Sequence, residues 1–162
     1  MIKRRESALV MQTAGNLVAF LLNRKRYALR LSAVERVLRS VAVTPLPDVS
    51  ALIIGVVSMP KRVVPVVDLR FRLGLPNKDI GLSDRFLVAR TKHFPIILVV
   101  DAVLGVVDYK PGALIPARRV FPNVNLANGV VCFADGLIYL HDLDAFLALE
   151  KIGALSNVSS TA

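Results

Sequence analysis

The chain has 162 residues, 54% of them hydrophobic, which is ample material for one core or for two small cores that share an interface. Its apolar runs are far shorter than the roughly 20 residues of a membrane-spanning helix, and its single cysteine cannot form an internal disulfide. These features exclude membrane insertion by a helix and a disulfide scaffold, and we expect a cytoplasmic protein.

The net charge of +9 lies in the first half of the chain. Residues 1–81 hold 14 Lys and Arg against 5 acidic residues, whereas residues 82–162 hold 7 of each. A basic half suits nucleic acid, an anionic membrane or an acidic protein partner. A solvated basic surface explains the same charge equally well, so the charge by itself selects no function.

The first elements in chain order read as a hairpin followed by a short helix. Two apolar runs flank the polar turn at residues 23–26, which predicts antiparallel strands at residues 17–22 and 27–31. The hydroxyl of Ser32 is suited to cap a helix over residues 33–38.

A fifteen-residue pattern then occurs twice, at residues 55–69 and 129–143. Each copy has a glycine, a short apolar run, a turn, a longer apolar run and Asp-Leu. This order predicts a hairpin that leads into a helical turn capped by Asp68 or Asp142, with a longer terminal helix after the second copy. Pro65, inside the first copy, suggests an edge strand or a bulge.

The first hairpin also returns, 69 residues later. Residues 86–89 and 95–100 repeat its strand, turn and strand, and Asp101 follows them as a further candidate cap. Two units of about five short strands each, with hardly any helix, predict an all-β protein of two small barrels.

The polar residues offer little chemistry. His93 and His141 are far apart, and we expect His141 to be a packed, neutral side chain and Cys132 to be a packing residue, since both lie in apolar strand patterns. No His, Cys, Asp or Glu cluster has metal-ligand spacing, and no phosphate-binding loop is present. We predict a non-enzymatic protein with no catalytic residue, metal or cofactor.

Nucleic-acid binding is the alternative function. Sites for single-stranded nucleic acid usually interleave aromatic with basic residues, but the chain has no Trp and its basic turns have only Tyr27 close by. No nucleic-acid partner is expected, and a basic small barrel that binds nucleic acid or an anionic surface stays open.

The first copy of the repeat resembles the signature of CheW-like domains. That signature is Pro-Leu-Pro, a spacer, Gly-Val-Ile-Asn-Leu-Arg-Gly and Val-Val-Pro-Val-Val-Asp-Leu-Arg, and the matching residues here are 45–47 and 55–70. The resemblance covers roughly residues 16–150. It implies an all-β fold of two five-stranded SH3-like barrels with a C-terminal helix.

The resemblance also implies a function and its residues. The family is a non-enzymatic adaptor that joins a CheA-type histidine kinase to methyl-accepting chemoreceptors in flagellar or other pathways, such as type IV pilus motility. The adaptor would be cytoplasmic, at receptor arrays, with no direct membrane insertion. The kinase-binding residues would be Gly55, Val56, Val57, Ser58, Met59, Lys61 and Arg62. The residues of the receptor-binding groove would be Val34, Val37, Leu98 and Val99.

The predicted organisation is one CheW-like domain flanked by two terminal segments. A basic extension covers residues 1–15, the domain covers residues 16–152, and a disordered tail covers residues 153–162. Within the domain we expect the first barrel at about residues 23–82 and the second at about residues 16–22 plus 83–152.

Two departures from the family signature point to the region that sets specificity. Residues 58–61, Ser-Met-Pro-Lys, replace Asn-Leu-Arg-Gly, and Arg62 lies two positions after the missing arginine. In the family's Val-x-Glu-Val pattern, Arg36 stands where an acid is usual. We expect the charged turn at residues 60–62 to determine which partner binds.

Overall fold

A computed structural model describes residues 15–47, 51–116, 119 and 129–144. Within these residues the chain forms short strands, a three-residue 3₁₀ helix at Leu31–Ala33 and a short α-helix, α1 (Leu69–Leu73), and residues 143–144 are also helical. The strands are β1 (Gly15–Leu22), β2 (Lys25–Arg30), β3 (Val34–Arg39), β4 (Ile53–Met59), β5 (Arg62–Val67), β6 (Arg85–Arg90), β7 (Pro95–Val100), β8 (Ala102–Tyr109), β9 (Leu114–Pro116), β10 (Gly129–Phe133) and β11 (Gly136–Leu140).

The strands form two mixed sheets. One sheet has six strands in the order β8-β1-β2-β11-β10-β9, and the other has five in the order β3-β6-β7-β5-β4. Neighbouring strands are antiparallel except at β11–β2 and β5–β7. The predicted all-β architecture of two similar units is confirmed, with the three-residue strand β9 as a sixth strand in one sheet.

Both sheets follow one plan, which confirms the internal repeat. The hairpins β4–β5 and β10–β11 are the two copies of the fifteen-residue pattern. The second strand of each copy lies parallel to the second strand of a different hairpin. Strand β5 lies beside β7, and β11 lies beside β2. The edge strands β3 and β8 pair with the equivalent strands β6 and β1.

The edge strands are exchanged between the halves of the chain. Strand β3 follows the β1–β2 hairpin but pairs with β6, and β8 follows the β6–β7 hairpin but pairs with β1. The five-stranded sheet therefore takes residues 34–100, and the six-stranded sheet takes residues 15–30 and 102–140. These divisions differ from the limits expected for the barrels, because a repeat shows which strands are alike and not which strands pair. The barrel limits as domain boundaries stay a prediction.

The central strands are buried on both faces. In β7, Leu98 packs in the core between the two sheets, called here the inter-sheet core, while Ile97 packs in the inner core of the five-stranded sheet. In β1, Phe20 lies in the inter-sheet core and Ala19 lies in the inner core of the other sheet. Burial on both faces explains why these strands read as continuous apolar runs.

The predicted caps at Asp68 and Asp142 are confirmed. The Asp68 carboxylate accepts a hydrogen bond from the Arg70 backbone N–H at 3.0 Å, and α1 ends at Gly74, whose φ of 68° is left-handed. The Asp142 carboxylate accepts from the Asp144 N–H in the same way. The terminal helix beyond residue 144, the basic extension and the tail lie outside the described residues.

Two predicted caps were wrong. Residues 34–39 form strand β3 instead of a helix, since pairing with β6 outweighs the short helical pattern, and the 3₁₀ helix before it has no side-chain cap. Asp101 precedes a strand, and its carboxylate accepts hydrogen bonds from the Asn23 N–H at 2.8 Å, from Arg70 and from Lys78. Asp101 therefore ties the β1–β2 turn, α1 and the loop that contains Lys78 together, and it caps no helix.

Three single-residue expectations had mixed outcomes. His141 is 4% exposed and stacks on Tyr27 at 5.3 Å, so it is a packed side chain as predicted. Cys132 is exposed, so the prediction of a packing role was wrong, because its face of β10 points to solvent. Pro65 lies in β5, which is an interior strand and not an edge strand. Pairing of β5 with β7 begins one residue later, at Val66, so the missing N–H of Pro65 breaks no ladder hydrogen bond.

Candidate protein-interaction site

The residues predicted to bind the kinase lie together on the β4–β5 hairpin. Strand β4 is at the edge of the five-stranded sheet. Ser58 and Lys61 are exposed at the end of the hairpin, Gly55 and Val57 are buried, and Val56, Met59 and Arg62 are half-buried. The hairpin thus offers a polar and charged end on an apolar base.

Gly55 is required by a close backbone contact. A Cβ atom at this position would lie 2.2 Å from the carbonyl oxygen of Thr44. Thr44 and Val56 exchange two backbone hydrogen bonds of 2.8 and 2.9 Å, which hold the residues after β3 against the outer edge of β4. This bridge anchors the base of the hairpin and covers part of an otherwise open strand edge.

Lys61 has a left-handed backbone conformation, with a φ of 67°. It follows Pro60 in a two-residue turn, a place where glycine is the favoured second residue and where the family signature has glycine. A non-glycine residue in this region costs about 1 kcal/mol. The chain therefore keeps an exposed positive charge at the end of the turn in spite of its backbone cost.

Arg62 joins the hairpin to the opposite edge of the sheet. Its guanidinium donates to both carboxylate oxygens of Glu35 on β3, at 2.5 and 3.3 Å. Arg62 begins β5, beside the edge strand β4, and Glu35 lies on the other edge strand, β3, so this contact shows that the sheet curves towards closure. The hydrogen bond from Arg62 holds the pKa of Glu35 below its ordinary value.

The same ion pair connects the two departures from the family signature. Arg62 lies two residues after the position of the signature's arginine, and Glu35 lies one residue before the position of its acid, which Arg36 occupies. The structure brings the displaced acid and the displaced arginine into contact. The residues next to these departures, Glu35 and Arg62, are 27 residues apart in the sequence, and only the fold brings them together.

Two of the predicted groove residues lie at the margin between the sheets. Val34 pairs with Ala89, and Val37 pairs with Leu87, and both partners belong to the inter-sheet core. Cross-strand partners share one face of a sheet, so the two valines face the same side as that core. Val37 is 43% exposed.

The other two groove residues lie on opposite faces of β7. Leu98 pairs with Leu87 and has no exposed surface. Val37, Leu87 and Leu98 therefore form one row across three strands, with Val37 at the exposed end and Leu98 at the buried end. Val99 is half-buried against the inner core of the five-stranded sheet, on the other face. The structure therefore brings Val34, Val37 and Leu98 to one side and leaves Val99 on the other.

The sequence patterns missed a pair of arginines and a cleft. Arg39 and Arg85 stand directly opposite each other on β3 and β6. An open cleft of about 770 Å³, on which none of the predicted residues lies, is lined by residues of the 40–45 and 77–82 loops together with Ile54 and Asp68. The cleft is lined mainly by loops, which lie outside the repeat, so no sequence pattern marked it. Arg39 lies on a repeated strand, where its counterpart is Asp108, and that difference is a signal in the sequence.

The described residues show neither a metal-binding cluster nor a spanning helix. Within residues 15–47, 51–116, 119 and 129–144, no three His, Cys, Asp or Glu side chains gather where they could hold a metal ion. No helix in that part of the chain has the length and apolar character to cross a membrane. A polar cluster, in which Lys78 donates to Asp84 at 3.0 Å and to Asp101 at 3.3 Å, ties loops together.

Two curved sheets built on one plan round a shared core, with an exposed charged hairpin and a half-apolar edge strand, define a small β-barrel scaffold with surfaces for other proteins. Comparison with known families gives that class a more specific identity. The CheW-like domain matches residues 16–151, and the chain belongs to this family.

Individual relatives agree with the family assignment. The chain is 26% identical over 137 residues to the chemotaxis protein CheW of Rhizobium meliloti, which covers 83% of this chain and 88% of that protein. It is 29% identical over 96 residues to the chemotaxis protein CheW of Bacillus subtilis, covering 59% of this chain and 62% of that protein. The crystal structure of the scaffolding protein TtCheW from Thermoanaerobacter tengcongensis matches the fold with a TM-score of 0.73 at 23% identity, over 82% of this chain and 91% of that chain.

Proposed function

We propose that this protein is a non-enzymatic adaptor of a chemosensory system, which joins a CheA-type histidine kinase to methyl-accepting chemoreceptors. The observation that carries the proposal is the β4–β5 hairpin, where a matched family signature lies on an edge strand and ends in an exposed, strained, charged turn. Strain held at an exposed turn is typical of functional sites. The relatives named above are chemotaxis proteins, which supports the same role.

The kinase would bind the exposed end of the hairpin. Ser58 and Lys61 would contact it directly, and Met59 and Arg62 would contact it with their exposed portions. Gly55, Val56 and Val57 would position that end, because the Thr44 bridge fixes the base of β4. The Glu35–Arg62 ion pair would hold the turn in one orientation relative to β3.

The receptor would bind along β3, at the margin between the sheets. An amphipathic helix there would bury the exposed surface of Val37 and the exposed part of Val34, and Leu98 would support that row from the core. Val99 would act through the packing of β7. The adaptor would work in the cytoplasm at receptor arrays, in a flagellar pathway or in another pathway such as type IV pilus motility.

The kinase arm is tested with the regulatory domain of a CheA-type kinase from the same organism. Binding to the wild type is measured by biolayer interferometry and compared with binding to Lys61→Glu, which reverses an exposed charge on the hairpin turn. The matched control is Lys25→Glu, which makes the same charge change on the other sheet. We expect Lys61→Glu to weaken binding about tenfold and Lys25→Glu to leave it within about twofold.

Two results would contradict the proposal. A wild-type protein that binds neither the kinase domain nor any receptor fragment of its own organism would exclude the adaptor function. Equal loss in both lysine variants would mean that total charge matters and that the hairpin does not. Double reversal at Lys61 and Arg62 should weaken binding further, since it also places two acids beside each other at Glu35.

The alternative of nucleic-acid or anionic-surface binding has its own test. Affinity for a random DNA duplex, measured by fluorescence anisotropy, would fall steeply as salt is added if the basic half bound phosphates. Both lysine variants would then weaken DNA binding alike. Absence of DNA binding at low salt would remove this alternative.

A further inference from the structure

Arg39 and Arg85 form a like-charge pair in the cross-strand row next to that of Val37 and Leu87. They are direct cross-strand partners on β3 and β6, next to the pair of Val37 with Leu87 on the same face. Side chains in such positions have Cβ atoms about 5 Å apart, and two like charges there destabilise a sheet. A pair of this kind needs a compensating acid or a function.

No described carboxylate compensates this pair. The neighbouring acid, Asp84, is 2% exposed and accepts from Lys78 at 3.0 Å and from the Gly81 N–H at 2.7 Å. The acid on β3, Glu35, is engaged by Arg62. Within residues 15–47, 51–116, 119 and 129–144, none of the salt bridges includes Arg39 or Arg85. The charges of both guanidinium groups are therefore available to an outside partner.

One of the two arginines is held in place by the backbone. Arg85 donates from one nitrogen to the carbonyl oxygens of Ser83 and Asp84, both at 3.0 Å, and is half-buried. Arg39 is exposed. The two guanidinium groups, one fixed and one free, lie beside the apolar Val37. They are suited to bind a carboxylate, which accepts paired N–H groups from arginine.

The fold itself does not require this pair. In the repeat, Val106 is the counterpart of Val37, and Asp108 opposite Asn16 is the counterpart of Arg39 opposite Arg85. The six-stranded sheet therefore forms with an acid and an amide at the same two positions. The arginines are specific to the half of the molecule that carries the proposed receptor surface.

We infer that Arg39 and Arg85 select a partner helix that carries an Asp or Glu about one helical turn from the apolar residue that packs on Val37. The spacing supports this geometry, because two residues along a strand span about 6.6 Å and four residues along a helix rise about 6 Å. This inference rests on the proposed receptor-binding function. It adds the chemistry that distinguishes one receptor helix from another.

The test uses the full-length protein and soluble cytoplasmic fragments of the chemoreceptors of its own organism. Binding is measured by fluorescence anisotropy at about 50 and about 500 mM NaCl. We expect Arg39→Glu to weaken binding about tenfold at low salt, with a smaller loss at high salt, and Lys25→Glu to stay within about twofold. Changing the helix acid to Lys in the bound fragment should restore binding to Arg39→Glu and weaken binding to the wild type.

A hydrophobic control separates this inference from the function beneath it. If Val37→Asp abolishes receptor binding while Arg39→Glu behaves like Lys25→Glu, the arginine pair is not a determinant and the adaptor function stands. If the wild type binds no receptor fragment, this inference and the receptor-binding part of the proposed function are both wrong. Thermal unfolding of each variant verifies that it is folded.

Two other occupants of the arginine pair are outcomes that overturn the inference. A second copy of the chain could present Asp108 beside Val106, and concentration-dependent dimerisation in sedimentation velocity, lost in both Arg39→Glu and Asp108→Arg, would identify it. Binding of a random DNA duplex that Arg39→Glu and Lys25→Glu weaken equally would identify a phosphate site.

Discussion

The edge strands β3 and β8 occupy equivalent places in the two sheets and present opposite chemistry. Each has an exposed valine facing the side of the inter-sheet core, Val37 at 43% and Val106 at 57% exposure. Two residues later, β3 has Arg39 and β8 has Asp108. The shared residues maintain the pairing with β6 and β1, and the residues that differ are exposed. The difference shows that the repeat accounts for the fold and that exposed, unrepeated positions give the two edge strands different surfaces.

The two repeated hairpins differ in the same way. The turn between β10 and β11 is held by an ion pair of Asp135 with Arg26 at 3.0 Å, within its own sheet. The turn between β4 and β5 has Lys61 in a left-handed conformation and Arg62 bound to the opposite edge strand. The β10–β11 turn is thus held by an ion pair, whereas the β4–β5 turn combines a strained backbone with the exposed charge of Lys61.

The largest effect is expected at the glycines that begin the two hairpins. Gly55→Ala should lower the free energy of unfolding by about 3 kcal/mol, because its Cβ would lie 2.2 Å from a backbone oxygen that the Thr44 bridge holds. Gly129→Ala should cost less, about 2 kcal/mol, because its Cβ would lie 2.7 Å from the movable end of the Leu114 side chain and 2.9 Å, not 2.2 Å, from a backbone oxygen, that of Ile115. Urea unfolding of both variants tests the order, and equal losses would show that the first contact relaxes.

An intermediate effect is expected at Asp101 and Ser32, which occupy equivalent positions before β8 and β3. Asp101→Asn should cost about 2 kcal/mol because it leaves the buried Arg70 without its carboxylate, whereas Ser32→Ala should change stability by less than about 0.5 kcal/mol. Thermal or urea unfolding at neutral pH measures the difference. A loss in Ser32→Ala as large as that in Asp101→Asn would contradict the proposed difference between the halves.

The pH dependence provides a second measurement on Asp101. Partial burial alone would raise its pKa, but hydrogen bonds from the Asn23 N–H, Arg70 and Lys78 hold it below the ordinary value. A depressed pKa in the folded state gives stability above the pKa of the unfolded chain, and this stability is lost as the pH falls through the folded-state value. The wild type should therefore lose stability below about pH 4, and Asp101→Asn should lose less over the same range.

A smaller change in stability than that of Asp101→Asn is expected at the hairpin turn. Lys61→Gly should raise the free energy of unfolding by about 1 kcal/mol, because glycine adopts a left-handed φ without the cost to a residue with a Cβ. The same substitution should weaken binding of the kinase regulatory domain, since it removes the exposed charge. Asp135→Gly at the equivalent turn is the control, and unchanged kinase binding in Lys61→Gly would assign the strain to the fold alone.

Much of the fold was predictable from local patterns. The alternation of apolar runs and polar turns gave the hairpins, because strand burial and turn chemistry act over a few residues. The Asp68 cap and the Gly74 terminus of α1 were predictable for the same reason. The helix predicted at residues 33–38 failed because the Val-rich stretch pairs with β6, a partner about 50 residues away that no local pattern reveals.

The candidate site was predictable only in part. The family signature located the hairpin, and the resemblance placed Val34 and Val37 on a partner surface, but it could not show that Leu98 has no exposed surface. Burial depends on which sheet covers a strand. The Arg39–Arg85 pair was also hidden, since its members are far apart in the chain and become neighbours only through the register of β3 with β6.

The sequence by itself determined that this chain makes two similar β units, and that their hairpins begin with a glycine and end in an aspartate. Local physics suffices for that, because turns, caps and the burial of short apolar runs involve neighbouring residues. The tertiary structure alone decided that β3 and β8 exchange sheets, that Arg62 binds Glu35, and that two arginines face each other beside Val37. Those contacts join residues 27 to 94 positions apart, and only the packing of both sheets on one core brings such distant residues together.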